Sequence, residues 1–245
     1  MKPNLDVQEF AIAIAAKRHN PTILTPDFLK YSGIVPSDWE LARQPILTNT
    51  AAQVVFQNGV NIIAEVNRVV FTESISTKEP QDVEIATIAN KYLATLAQVE
   101  YQGIGINFRG HVLLEGEQNT ARNYILKTLL NPGPWQEFGE ATVQAATRFV
   151  YTFEGVQLNL DINEAGLQLP DQTVLPIVLF TANFGHAISG DEPSQRLAGL
   201  SQVIGNWEGD LEIYKEVVNT KFFNSVSYQL NPAADELVIP IAPNN

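Results

Sequence analysis

The sequence predicts an α+β protein built on an internally duplicated antiparallel sheet with helices on one face. Two segment matches and the order of hydrophobic patterns lead to that class. Gly59-Val60-Asn61-Ile62-Ile63-Ala64-Glu65-Val66-Asn67 reads closely against Gly155-Val156-Gln157-Leu158-Asn159-Leu160-Asp161-Ile162-Asn163. Upstream of each, Ile12 to His19 reads against Ile104 to His111. The offsets are 96 and 92 residues, so two separate segments recur at nearly one spacing. A repeat of that length is a half-domain, longer than any solenoid unit.

Each half runs strand, short helix, hairpin or meander, then helix. Phe10–Ala16 alternates like a strand. Thr25 suits an N-cap, Pro26 the first helical position and Gly33 the stop of a short helix. Ser37-Asp38-Trp39-Glu40 has the form of a capping box. Ala52–Gln57 and the strand from Val60 form a hairpin about Asn58-Gly59, a dipeptide that tolerates positive φ at both positions. Ile85, Ile88, Ala89, Tyr92, Leu93 and Leu96 then fall at helical spacing within 82–97.

The second half opens with a strand over Tyr101–Leu114. A helix over 120–130 follows, capped by Asn119 and stopped by Asn131-Pro132. Ala145–Phe153 and Val156–Ile162 form the matching hairpin, with a further strand over Ile177–Ala187. A last helix begins near Pro193 and carries Leu197, Leu200, Ile204, Trp207, Leu211, Tyr214 and Val218 as one stripe. That stripe fits a coiled-coil seam or, better, packing along a sheet. Gly205 and Gly209 each cost about 1 kcal/mol against Ala in a helix, which points to a close backbone approach there.

Residues 1–98 form the first half, 99–223 the second and 224–245 a C-terminal tail, with the halves sharing one sheet. The duplicated order resembles the saddle of the TATA-binding protein in topology; a helix-grip fold for each half is the alternative. In the tail, Val226–Leu230 alternates like a strand, while Pro240 and Pro243 belong at a sheet edge or outside it.

The composition is globular, with 45% hydrophobic and 17% charged residues among 245. There is no cysteine, so thiolate metal sites, disulfides and cysteine nucleophiles are excluded. The formal net charge of −12 disfavours a nucleic-acid partner, which needs clustered Lys and Arg. No secretory signal and no run of about 20 apolar residues is present, so a cytoplasmic protein without a membrane span is expected.

Few side chains carry a chemical signature. His19, His111 and His186 lack ligand spacing, so neither a metal site nor a cofactor is expected. Lys17-Arg18-His19 and Arg109-Gly110-His111 place a small basic cluster at the same point of each half. Lys17, Arg18, His19, Arg109 and His111 are therefore the candidate binding residues, for an anion or a docking partner. The plainer reading makes them solvated strand ends. Glu65 and Asp161 are equivalent carboxylates, and the polar–apolar alternation around them reads as charge on a half-solvated strand. No Gly-x-Ser-x-Gly elbow or Walker loop occurs, and Gly103-x-Gly105 lacks the rest of a dinucleotide fingerprint. Those two glycines mark a strand that something approaches closely.

Asn20-Pro21-Thr22-Ile23-Leu24-Thr25-Pro26-Asp27-Phe28-Leu29, followed by Gly33-Ile34-Val35-Pro36-Ser37-Asp38-Trp39-Glu40, resembles a family of uncharacterised bacterial proteins of about this length. The resemblance runs from Phe10 to Phe71 and implies no activity and no site residue. The functional expectation is a non-catalytic cytoplasmic interaction or assembly protein, with a protein partner or a homo-oligomer. The alternative is a small-molecule binder or enzyme with a cleft between sheet and helices.

Overall fold

A computed structural model describes residues 3–116, 119–190 and 192–223. The chain begins with β1 (Asp6–Lys17), α1 (Pro26–Tyr31), β2 (Ile46–Leu47), β3 (Ala51–Val55), β4 (Asn61–Glu65), β5 (Arg68–Ser74) and α2 (Ile85–Thr95). It continues with β6 (Glu100–Leu113), α3 (Thr120–Asn123), β7 (Thr147–Phe153), β8 (Val156–Gln168), β9 (Val174–His186), α4 (Pro193–Gly205) and α5 (Trp207–Glu216). Among the described residues the nine strands form one open antiparallel sheet, in the order β2-β3-β4-β5-β1-β6-β9-β8-β7. Outward from the β1–β6 seam, one side reads β5, β4, β3 and the other β9, β8, β7. The expected tail strand over 226–230 lies outside the described residues.

The period-2 pattern decides which side of each strand is covered. Phe10, Ile12 and Ile14 of β1, Ile104, Ile106 and Phe108 of β6, and Phe180, Ala182 and Phe184 of β9 are all buried. Every α-helix contributes to the same core cluster as these residues, so the described helices lie on one face. Trp207 stacks on Phe10 with centroids 4.6 Å apart, and Tyr214 stacks on Phe108 at 5.8 Å. The Tyr214 hydroxyl donates to the Phe180 carbonyl at 2.9 Å, which satisfies a buried phenol whose pKa burial drives upward.

The long C-terminal stripe packs along the sheet as its spacing predicts, but not as one straight helix. The break comes at Asn206, whose N–H reaches the carbonyls of both Gln202 and Val203. Beyond α5 the chain continues as a π-turn over Val217–Phe222. No heavy atom outside the local helix lies within 4 Å of a Cβ placed on Gly205 or Gly209, so these glycines mark no close approach.

Other local expectations shift in type more than in place. The Thr25 hydroxyl accepts from the Phe28 N–H at 3.1 Å and Gly33 has φ +66°, as a capped short helix requires. Ser37–Glu40 forms a turn instead of a helix start, and the chain next bridges Leu41 to Phe56. At the Asn58-Gly59 turn only Gly59 takes positive φ (+88°). Asn58 instead uses its side-chain oxygen to accept from the Val60 N–H at 3.2 Å, closing a longer loop than a two-residue turn. The helix expected over 120–130 is one α-turn followed by a π-turn, Tyr124–Leu129.

The open face of the sheet as candidate functional site

The residues that alternate with the core stripe project from the uncovered side, and their cross-strand registers arrange them in rows. One row runs Val55, Asn61, Thr72, Ala11, Asn107, Asn183, Asn159, Val150 from β3 to β7. Its polar members bond to one another. The Asn159 amide donates to Asn183 Oδ1 at 3.5 Å, the Asn183 amide to Asn107 Oδ1 at 2.6 Å, and the Asn107 amide to the backbone oxygens of Gly105 and Ala11. On the other side Gln53 donates to Asn61 Oδ1 at 2.8 Å and Asn61 to the Thr72 hydroxyl at 3.0 Å. Both chains of donors run inward, from outer strands towards the seam. A primary amide has two N–H groups and two lone pairs, so this relay leaves hydrogen-bonding capacity facing outward.

The neighbouring row is flat at its centre. Ala13 pairs with Gly105, and Gly105 with Gly185. Gly105 has a specific reason to be glycine: a Cβ there would lie 2.9 Å from the Asn183 side-chain nitrogen. Gly103, by contrast, has nothing within 4 Å of that position. Small residues beside a preorganised polar row leave a surface that another molecule can approach closely.

Two charged pairs sit on the outer strands of this face. Arg68 holds Glu65 through contacts of 2.6 and 3.2 Å, and Arg148 holds Asp161 through contacts of 2.6 and 2.8 Å. The Arg68 guanidinium holds the Glu65 carboxyl below the usual carboxylate range. The paired carboxylates therefore serve as ion-pair partners at the surface. Where the row reaches β3 and β5, a cleft of about 440 Å³ opens, lined by Glu9, Arg43, Gln53, Asn61, Thr72 and Ser74.

The basic residues singled out in the sequence do not converge. Because β1 and β6 are antiparallel, Lys17 pairs with Glu100 at one end and His111 with Asp6 at the other. Eleven strand steps separate these ends, about 35 Å. Lys17 forms an exposed ion pair with Glu100 at 3.3 Å, and Arg18 is exposed with φ +57°. Arg109 reaches Glu9 at 3.4 Å on the open face, while His111 is buried.

His19 is buried and structural in its contacts. Its Nδ1–H donates to the Glu65 carbonyl at 3.1 Å, and Nε2 accepts from the Tyr92 hydroxyl at 2.7 Å. Burial lowers its pKa, partly offset by the bond to Glu65, and burial raises that of Tyr92. His186 faces α5 instead, with Nε2 2.7 Å from Asp210. Among the described residues no group of three or more His, Asp or Glu side chains is placed to hold a metal ion. No described helix is long and apolar enough to cross a membrane.

Sequence pattern alone does not reveal the amide row, although its members stand in plain sight as Ile106-Asn107-Phe108, Leu158-Asn159-Leu160 and Ala182-Asn183-Phe184. An asparagine between two core residues was the available signal. Cross-strand register, which aligns the three, was not. Compared with protein-family models and with curated proteins, the chain matches none.

Proposed function

We propose that this chain is a non-catalytic interaction or assembly protein of the cytoplasm whose working surface is the open face of its sheet. The observation that carries the reading is two hydrogen-bonded side-chain chains, Gln53–Asn61–Thr72 and Asn159–Asn183–Asn107, beside the flat strip of Ala13, Gly105 and Gly185. Fixed amides with spare donors and acceptors suit an uncharged polar partner surface. Arg68, Arg109 and Arg148 are each bridged to a carboxylate, which together with the charge of −12 weighs against a polyanion.

The proposal includes an internal duplication, residues 1–98 and 99–223, with a saddle-like arrangement about the β1–β6 seam. Two facts support it. Ala13 and Gly105 are 92 residues apart, the offset of the upstream repeat, and they pair directly. Ile12 then pairs with Ile106 and Ile14 with Ile104, as a twofold axis through that pair requires. The resemblance to uncharacterised bacterial proteins over Phe10–Phe71 remains part of the proposal and adds no activity.

Affinity capture with the full chain and with Ala13→Arg tests the reading. The variant sets a cation at the centre of the open face, and circular dichroism checks that the fold is kept. Partners held by the wild type and lost by the variant are expected. An identical set captured by both overturns the role of this face. The cleft beside Arg43 favours a second reading, a site for a polar small molecule with an acidic group; its test is ligand-induced thermal stabilisation that Arg43→Ala abolishes.

A further inference from the structure

The two edges of the sheet are finished differently. At one edge β2 is only Ile46–Leu47 and follows Pro45, a short edge that offers little to another strand. At the other, β7 runs over seven residues, Thr147–Phe153, without proline, lysine or bulge. Its single charged side chain, Arg148, is engaged by Asp161 within the same sheet. Val150 and Phe153 are 53% and 41% exposed. Among the described residues, the backbone of Thr147–Phe153 bonds only to β8.

Register tells which groups are left over. The two-residue turn at Glu154-Gly155 makes Phe153–Val156 a hydrogen-bonded pair. Alternation then makes Tyr151–Leu158 and Phe149–Leu160 bonded pairs too, and the N–H and C=O of Arg148, Val150 and Thr152 point away from β8.

From this arrangement we infer that β7 is a homodimerisation edge, pairing antiparallel with β7 of a second copy in a register centred on Val150. That register uses every outward group: Val150 exchanges both bonds with its own copy, and Arg148 exchanges both with Thr152 at either end. The side chains agree with it. Val150 meets Val150, Arg148 meets Thr152, and Phe149 meets Tyr151 on the helix-covered side, an aromatic pair at a close, non-bonded position. No like charges are brought opposite one another. An isologous contact of this kind closes on itself and leaves a continuous sheet across both copies. It extends the row of Asn159 and Val150 into the second open face and stands independently of what binds there.

Sedimentation equilibrium of the full chain over a wide concentration range is the first test, with a dimer of twice 27.0 kDa expected. Val150→Pro removes an outward donor that the fold does not use, so it should give a folded monomer. Because the chain has no cysteine, Val150→Cys supplies a single thiol at the twofold and should form an intermolecular disulfide on mild oxidation. Thr173→Cys, in the β8–β9 turn, should not. A wild type monomeric at every concentration overturns the proposal. So does a dimer that survives Val150→Pro while Val150→Cys fails to cross-link. If only the chain truncated after Phe223 dimerises, the tail occupies this edge and the second copy does not.

Discussion

The Asn183 side-chain amide occupies the space that a Cβ on Gly105 would need, 2.9 Å from that position, while it donates to Asn107 at 2.6 Å. A side chain at 105 is thus opposed by a neighbour on β9, not by its own backbone. Gly105→Ala should displace the amide and cost about 1–3 kcal/mol, the range for overpacking a tight site. The check is a double-mutant cycle by urea denaturation. In an Asn183→Ala background the penalty should largely vanish, and an undiminished penalty would place the strain elsewhere.

His19 gives the stability of this protein a defined pH dependence. Burial lowers its folded-state pKa, whereas the unfolded chain takes up a proton near the ordinary value of about 6.5. Below that value the unfolded state binds more protons, so stability falls as pH falls. The full contribution is present above about pH 6.5 and declines through the window down to the lowered folded value. Urea titrations from pH 8 to pH 5 should show this slope near neutrality, and His19→Gln should flatten it. Tyr92→Phe leaves Nε2 without its donor and should cost about 1–3 kcal/mol at pH 8.

Those two side chains also show what was legible in the sequence. His19 was visible as a repeated basic position, yet its chemistry depends on Tyr92, 73 residues away on α2, and on the Glu65 carbonyl. Strand faces and helix stripes follow from local periodicity, so Phe10, Ile12 and Ile14 and the run from Leu200 to Val218 could be placed at once. The open-face relay rests on registers between β6, β9 and β8, which no local pattern encodes. Asn206 was hidden for a different reason: the hydrophobic stripe passes through it without interruption, and only the backbone shows the break.

Glu73 replaces a local N-cap for α2. The side chain of the N-cap residue, Glu84, makes no cap bond to that helix. Instead the fully buried Glu73 carboxylate, on β5, accepts from the N–H groups of Glu84 and Ile85 at 2.9 Å each and pairs with Lys78. Its charge also lies at the positive end of the helix dipole. Glu73→Ala orphans two backbone donors and a partly buried ammonium at once, and should cost about 3 kcal/mol or more. Hydrogen exchange should show the first turn of α2 opening before the rest of the helix. A loss under about 1 kcal/mol, with no change in that turn, would mean that water replaces the carboxylate at little cost.

Gly59 and Gly155 separate backbone strain from packing. Both end hairpin turns in the left-handed region, with φ +88° and +73°. Nothing lies within 4 Å of a Cβ on Gly155, and the nearest atom to one on Gly59 is the Ser74 Cβ at 3.8 Å. An alanine at either position therefore meets no clash, open space at 155 and an ordinary contact at 59, and pays only for its conformation, about 1–2 kcal/mol. The two costs should agree within experimental error. Asparagine, which visits this region more readily, should cost less than alanine at both. Urea denaturation of the four single variants decides the matter. If Gly59→Ala is destabilising and Gly155→Ala neutral, the β7–β8 turn relaxes where the β3–β4 turn cannot, and the two hairpins are not mechanically equivalent.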